Sequence, residues 1–504
     1  MSSLAVRRAS VRTGHALFAI LVAVGCQTKR PLRAPPFLEP RGATMEEAEE
    51  GARTVVPEGR EAVGFTVLVD SDADPLRLSE QPVAYPAFEP PGRPRPLIDV
   101  GTPFLDHGPI EPGIETPSGQ MLQPSFLVYG KLRSAVQASD DGVRTRSEWA
   151  NRLDVHADLK LSGTERIVAS FRPLDTDRGR YTGVNFWPSA GDEGRVDGFN
   201  SRLRALFFEG ELGEIFPGLD PGDRGTLDWG FSVGRQPFLV QDGLLIDDDL
   251  DLFGVTRNSL TTSGVSNLRV TGIFAWNVVH RGVNREERGG YLVGLLSSAD
   301  TEESTLAVDL LYVNDEDDRT DAWYTAASST RRFGALNSTL RLGASLPVHD
   351  DTPLTSAGLW LASELSRTLK GSDAIAYWNV FWSVARFTAA ATGDDRGGPE
   401  RRTGILYEPV GMGRYGAPMG GATDDTIGTA LGTQLFLNGV REHVVLELAA
   451  RDSTHGGDEA RLGLGARYQR AVGSHYVLRL DAFAAAMDRY RPRYGLRLEW
   501  AIEF

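Results

Sequence analysis

The 504-residue sequence has one cysteine, Cys26, so no disulfide forms within the chain and no cysteine-based metal cluster is available. Lysine is nearly missing: Lys29, Lys131, Lys160 and Lys370 stand against 49 arginines. No run of 18 or more apolar residues occurs, which excludes a bundle of membrane-spanning helices. Positive charge is in deficit, and the net charge of −15 at pH 7 argues against a nucleic-acid partner. His-Glu-x-x-His is absent, so that common hydrolase signature gives no support to an enzyme. EF-hand spacing is absent too, so the acidic runs imply no calcium site, and no metal or other cofactor is expected.

The N-terminus has the features of an export signal. Arg7, Arg8 and Arg12 precede an apolar stretch from Ala16 to Gly25, which reads as a secretory signal over residues 1–26 and not as a membrane anchor. Ala23-Val24-Gly25-Cys26 resembles a bacterial lipobox, in which Cys26 is lipidated after cleavage; ordinary cleavage nearby is the alternative. Residues 27–123 show little periodicity. Pro31, Pro35, Pro36, Pro40, Pro90, Pro91, Pro94 and Pro96 recur there, with an acidic cluster at Glu46-Glu47-Ala48-Glu49-Glu50. This composition predicts an extended, mostly disordered periplasmic segment.

From residue 124 to the end the texture is strand after strand. Residues 493–504 are the clearest. Tyr494, Leu496, Leu498, Trp500, Ile502 and Phe504 alternate with Arg493, Gly495, Arg497, Glu499, Ala501 and Glu503. Period two places these sets on opposite faces of a strand. Aromatics near both ends of the apolar face, and Phe at the terminus, are similar to the closing strand of bacterial outer-membrane proteins. The same alternation predicts strands at 125–137, 148–161, 165–172, 201–212, 227–236, 248–257, 266–277, 288–298 and 304–313. It continues at 319–327, 332–346, 356–368, 374–389, 426–437, 442–451, 459–470, 474–486 and 493–504. The sixth is the least regular, and 374–389 is apolar on both faces and gives no orientation.

Connection lengths provide an independent test. Even-to-odd connections such as Ser162-Gly163-Thr164 and Asn438-Gly439 are short, and Asn-Gly is a favoured hairpin dipeptide. Odd-to-even ones include 173–200, 237–247 and 390–425, the longest. Alternating short periplasmic turns and long external loops predict an all-β, transmembrane antiparallel β-barrel of about 18 strands, with both ends periplasmic. Residues 213–226 are long for a turn and break the pattern. A soluble array of two β-sandwiches is the competing fold, and it requires polar outer faces.

Phe231-Ser232-Val233-Gly234-Arg235-Gln236, followed by Gln241-Asp242-Gly243-Leu244-Leu245-Ile246, resembles the alginate-export family of outer-membrane barrels. That family has a strand ending in Gly-Arg-Gln and then a Gly-Asp-Gly-Arg-Leu-Ile-like loop. Tyr129-Gly130-Lys131-Leu132-Arg133 and Glu148-Trp149-Ala150-Asn151-Arg152-Leu153-Asp154 also fit. The resemblance covers about residues 125–504 in architecture and a few dozen residues in motif. It implies an 18-stranded barrel whose Arg-rich lumen passes an anionic polysaccharide. Here Leu stands where the family's loop arginine lies, and the acidic run Asp247-Asp248-Asp249-Leu250-Asp251 follows.

Strand parity assigns Arg152, Arg204, Arg235, Arg269, Arg341, Arg461, Arg467, Arg479, Asp481, Arg493, Arg497 and Glu499 to the lumen wall. Rings of lumen charge select ions by sign, and Arg suits carboxylates, so anionic or sugar-like solutes are expected. The competing reading is that Arg and acid pair across strands and stiffen the wall. The acidic runs at 247–249, 315–318, 350–351 and 394–395 read as solvated external loops, with lipid and lipopolysaccharide outside and the outer-membrane assembly machinery as further partners. Loops 173–200 and 390–425 are long enough to fold inward and narrow the pore. A barrel hydrolase would need a Ser-His pair, for which His156 is the strand histidine available. A structural or adhesive barrel would not conduct.

Overall fold

The computed structural model describes residues 94–101, 113–175, 181–188, 193–220, 225–281, 285–315, 318–352, 354–393, 396–455, 460–488 and 490–504. The expected signal over 1–26, its Cys26 and residues 27–93 lie outside the described residues. Eighteen strands form the wall where the alternation places them. They are β1 (Ser125–Asp140), β2 (Thr145–Lys160), β3 (Arg166–Phe171), β4 (Leu203–Glu211), β5 (Trp229–Val240) and β6 (Ile246–Thr262). Next come β7 (Val265–Arg281), β8 (Arg285–Asp300), β9 (Ser304–Asn314), β10 (Ala322–Phe333), β11 (Leu336–Pro347) and β12 (Gly358–Thr368). The last are β13 (Ile375–Ala385), β14 (Thr426–Phe436), β15 (Glu442–Ser453), β16 (Arg461–Val472), β17 (Tyr476–Met487) and β18 (Arg493–Glu503). Each pairs antiparallel with the next, and β18 returns to β1 over Tyr494↔Asp140 to Glu503↔Lys131. The ring is a closed 18-stranded antiparallel barrel. Closure satisfies the backbone of every strand and leaves no edge, as a wall in contact with lipid requires.

The burial pattern shows which face meets which solvent. On β18, Tyr494, Leu496, Leu498 and Trp500 are exposed, while Gly495, Arg497, Glu499 and Ala501 are buried. Leu310, Leu340, Leu361, Leu431, Leu446 and Leu464 continue the exposed apolar wall. A water-soluble sandwich would show the reverse, so that alternative is overturned. The wall also has aromatic belts. At the end of the barrel away from the chain terminus, Phe274, Tyr291, Tyr312 and Trp323 run across β7–β10, with successive centroids 6.1, 6.3 and 4.8 Å apart. At the other end Tyr476 stacks on Trp500 at 5.5 Å. No helix among the described residues is long and apolar enough to cross a membrane.

The two rims differ as the connection lengths predicted. Ser263-Gly264 and Gly334-Ala335 are tight turns at the rim that holds both ends of the barrel strands, here called the terminal rim. The long connections 172–202 and 386–425 lie at the far rim. The exception, 212–228, contains a short helix (Leu212–Ile215) and a 3-10 turn (Pro217–Leu219), so its length is taken up by local structure. Residues 98–101 and 113–123, expected to be irregular, have structure. Ile98–Gly101 pairs with Ser125–Val128, where β18 has already ended, and Ile114–Glu115 pairs with Met121–Leu122. Phe504 closes the seam: its N–H donates to Gly130 O at 3.0 Å and its carbonyl accepts from Gly130 N at 2.7 Å. A Cβ at position 130 would come within 2.9 Å of the Phe504 ring.

Candidate functional site in the barrel lumen

Two far-rim connections turn into the barrel. The first joins β5 to β6 over residues 241–245. It was expected to be part of a long external loop, but it is short. Gln241 and Asp242 hold left-handed backbone, with φ of 53° and 54°, ahead of Gly243 at 93°. Non-glycine residues avoid this region, so the tip is a strained turn held by its surroundings. The turn buries Val240, Leu244, Leu245, Ile246 and Leu250 inside the barrel against Ile273, Leu292, Leu311, Trp360 and Phe381. The lumen therefore contains an apolar core on one side. This explains the double-faced β13: Trp378 and Trp382 face outward, while Phe381 packs inward on Trp360 with centroids 4.6 Å apart.

The second connection, 386–425, folds inward onto the first. Ala391–Thr392 runs parallel to Ile246–Asp247, Ala390 N donates to Leu245 O at 2.9 Å, and Gly393 N donates to Asp247 O at 2.8 Å. Connection 172–202 meets that loop at one point: Tyr181 is buried with Met412, Ala135 and Ala150, and Val196 packs against them. Thr182–Phe186 pairs with Ser147–Asn151, extending the wall beyond the short β3, and Trp187 is 81% exposed.

The acidic run at 247–249 is not a solvated loop. All three aspartates are buried, because packing Ile246 and Leu250 inward carries the intervening residues inside. Buried carboxylates require counter-charge, and loop arginines supply it. Arg401 pairs with Asp247, Arg396 with Asp249 at 2.7 Å, and Arg204 with Asp249 at 2.5 Å. His280 holds Asp248 through Nδ1 at 2.7 Å and its backbone N–H at 3.0 Å. Asp315, in a second run expected to be solvated, is also buried, with Thr320 donating to it at 2.6 Å.

The lumen arginines named from strand parity have specific partners. Arg152 binds Asp154 at 2.9 Å and the carbonyl of Gly411. Arg204 is the extra residue of a bulge between β3 and β4, which turns it inward. Arg235 is the exception to the lumen assignment: it shares strand parity with the exposed Trp229, Val233 and Leu239 and sits opposite the exposed Leu206, so it lies on the outer face, with Asp251 at 3.7 Å. Arg341 pairs with Asp242 and Glu364. Arg461 donates to Gly420 O at 2.8 Å, and Arg493 donates to Pro418 O at 3.1 Å. Arg467 binds Asp481 at 2.7 Å, and Arg479 donates to Gln469 at 2.7 Å. Arg497 spans Asp481 at 2.8 Å, Glu499 and Gln137 at 3.0 Å, while Glu499 also holds Arg133 at 2.8 Å. Arg269 alone of this set has no hydrogen bond or ion pair among the described residues. Arg152, Arg204, Arg341, Arg467 and Arg497 are thus paired with carboxylates, and Arg152, Arg461 and Arg493 clamp loop 386–425 by its carbonyls.

Other residues holding the loop were not evident in the sequence. Glu447 accepts from Ile405 N and Leu406 N, each at 2.9 Å, and from Tyr377 Oη at 2.5 Å. Glu148 pairs with Arg414 at 2.9 Å. The available signal was complementarity: Arg396, Arg401, Arg402 and Arg414 in one loop against Asp247, Glu148 and Glu364 on strands.

Open space remains on both sides of this constriction. Toward the terminal rim lies a cavity of about 940 Å³, lined by Phe231, Phe238, Thr256, Arg269, Thr271, Asp309 and Thr330 among others. Toward the far rim a cavity of about 430 Å³ is lined by Phe387, Pro399, Tyr407 and the buried Glu400. A small niche shares Gln241, Asp242 and Arg341 with the first cavity and Pro399 with the second. Here Arg402 sits 3.2 Å from Glu364 and 4.0 Å from Asp242, and the side chains of Asp242 and Arg402 are both half-exposed. Four alternating charges thus lie where the two cavities approach each other. His156 accepts or donates a 2.7 Å hydrogen bond with Ser170, but Asp154 is held by Arg152 and by Arg172 at 2.7 Å and is not placed on the imidazole.

No protein-family model matches the sequence, and no curated protein does. Solved structures share the architecture. Pseudomonas aeruginosa OccK9 (OpdG) superposes with a TM-score of 0.51 at 13% identity, covering 75% of this chain and 98% of its own. OccK11 (OpdR) from the same organism gives 0.50 at 12%, covering 75% and 96%. Pseudomonas aeruginosa OpdK with vanillate gives 0.50 at 12%, covering 75% and 98%. The chain has the fold of outer-membrane β-barrel porins.

Proposed function

We propose that this chain is a passive outer-membrane channel for small polar solutes, with residues 241–245 and loop 386–425 as its constriction. The observation that carries this is the closed barrel itself, apolar outside and polar or charged inside, with a cavity of about 940 Å³ within. Eighteen strands enclose enough space for an aqueous path. The terminal rim would face the periplasm, which puts the long connections outside. Planar-bilayer recording of the purified full-length chain tests the reading. Discrete single-channel steps are expected; absence of conductance, from both the intact chain and one lacking the inward loop, would favour a structural or adhesive barrel.

Size should be the first filter and charge sign the second, because most lumen arginines already have carboxylate or carbonyl partners. The anion preference expected from parity then rests on Arg269, Arg479 and Arg493, whose hydrogen bonds, where they have any, go to neutral oxygens. Reversal potentials in a salt gradient measure it, and a clear cation preference would sink it. Passage of an anionic polysaccharide, implied by the alginate-export resemblance, needs loop 386–425 to leave the lumen, so a small solute fits better. OpdK was solved with vanillate, which makes an aromatic acid a reasonable first solute to test. Lipidation of Cys26 remains a proposal, and intact mass of the mature protein checks it. The hydrolase reading has only the His156–Ser170 contact in its favour; ester hydrolysis lost in Ser170→Ala would revive it.

A further inference from the structure

The outer wall carries a notch at the terminal rim, between the turn 437–441 and the turn 473–475. It encloses about 420 Å³, with Arg441, Glu442, Tyr468, Arg470, Val472 and Leu478 on its walls. Its position is on the lipid side. Tyr468, Arg470 and Val472 share strand parity with the exposed Leu462 and Leu464 of β16. Leu478 pairs with Arg470 on one side and with Trp500 on the other. The turn beside it presents Leu437 and Val440, which are 60% and 82% exposed. Tyr476 and Trp500 mark the same depth as an aromatic belt, the level of lipid headgroups.

The charges in the notch do not cancel. Tyr468 Oη donates to Glu442 at 2.7 Å, and Glu442 lies directly opposite Arg470 on the neighbouring strand, so one carboxylate stands against two arginines. Arg441 uses one nitrogen on Gly473 O at 3.2 Å and has further N–H donors to offer. Arg470 is exposed beside it. We infer that this notch binds the headgroup of an anionic glycerophospholipid, its phosphate on Arg441 and Arg470 and its acyl chains along Val472, Leu478 and Trp500. A soluble anion would gain nothing from the apolar half of the site, and the notch opens to the lipid wall, not to the lumen. The inference rests on the barrel lying in a bilayer and not on its conducting.

Native mass spectrometry of the full-length protein in dodecyl maltoside tests it, with phosphatidylglycerol and phosphatidylcholine of matched chains. Phosphatidylglycerol should be retained preferentially, and Arg441→Ala/Arg470→Ala should lower its retention about thirtyfold, from the usual contribution of two basic residues at an anionic surface. Arg441→Lys/Arg470→Lys should keep most of it, and heat-shifted gel mobility confirms that each variant is folded. Arg331→Ala, an outward arginine at the same rim paired with Glu303 at 2.6 Å, should change nothing. Equal retention of the two lipids, or equal loss in Arg331→Ala, overturns the site. So does full displacement of the lipid by an equal concentration of inorganic phosphate, which would make it a site for free phosphate. If the lipid is retained while bilayers show no conductance, the channel reading fails and the lipid site stands.

Discussion

Replacing Arg497 by Met should destabilise the folded barrel by about 3 kcal/mol. The guanidinium is fully buried and touches Asp481 Oδ2 at 2.8 Å, Glu499 and Gln137 Oε1 at 3.0 Å. Removing one partner of a buried ion pair costs roughly 3–5 kcal/mol when the remaining charge has no other counter-ion. Here both acids keep one. Asp481 retains Arg467 at 2.7 Å, and Glu499 retains Arg133 through two bonds of 2.9 and 2.8 Å. The loss is then two charge-assisted hydrogen bonds at about 1.5 kcal/mol each, the low end of that range. Met fills most of the volume, so a cavity adds little. Three kcal/mol is more than a hundredfold in the ratio of folded to unfolded chain. Urea titration of reversible folding into phosphatidylcholine vesicles, followed by tryptophan fluorescence, measures it. Arg269→Met is the comparison, since that side chain has no ion pair to lose and should stay within about 0.5 kcal/mol of the parent. If Arg497→Met is equally silent, or Arg269→Met equally damaging, then the paired lumen arginines are not what stabilises the wall.

Further outcomes follow from the same geometry. Excising 388–422 and joining the ends with Asn-Gly should raise single-channel conductance severalfold, because Phe387 N already bonds Thr423 O at 3.2 Å and the stems form a hairpin; unchanged conductance would place the constriction elsewhere. Burial holds the Glu400 carboxyl above its ordinary value of 4.5. The loop is therefore most stable while Glu400 is protonated, below that value, and loses stability as pH rises toward the raised folded value. Glu400→Gln should slow hydrogen exchange of loop amides at pH 7 and leave it unchanged near pH 4; the opposite pH trend would sink the assignment. Gly130→Leu drives a side chain into the Phe504 ring and should reduce the yield of the heat-modifiable folded form, whereas normal yield would show that the seam tolerates it. Leu498→Arg puts charge on the lipid face and should cost about 2–4 kcal/mol in the vesicle titration, the range measured for the bilayer midplane.

Strand number and strand faces were legible because they depend on a local rule. A wall between lipid and a polar interior must alternate every second residue. The alternation of Tyr494, Leu496, Leu498 and Trp500 with Gly495, Arg497 and Glu499 is written in consecutive positions. The sixth strand shows where the rule weakens. Ile246 and Leu250 are apolar because they pack on residues inside the barrel, and Asp247–Asp249 are acidic because loop arginines reach them from about 150 positions away.

By itself, then, the sequence determined a closed antiparallel barrel, its strand parity, and which side chains face lipid. Only the tertiary structure decided what fills the lumen. Arg152, Arg461 and Arg493 point inward as alternation requires, yet each ends on a carbonyl of loop 386–425 and not on an open pore. Alternation fixes the direction of a side chain relative to its own strand. The partner it meets across the barrel depends on where a distant connection folds, and that is set by burial of apolar residues such as Leu244, Leu245, Trp360 and Phe381 between elements far apart in the chain.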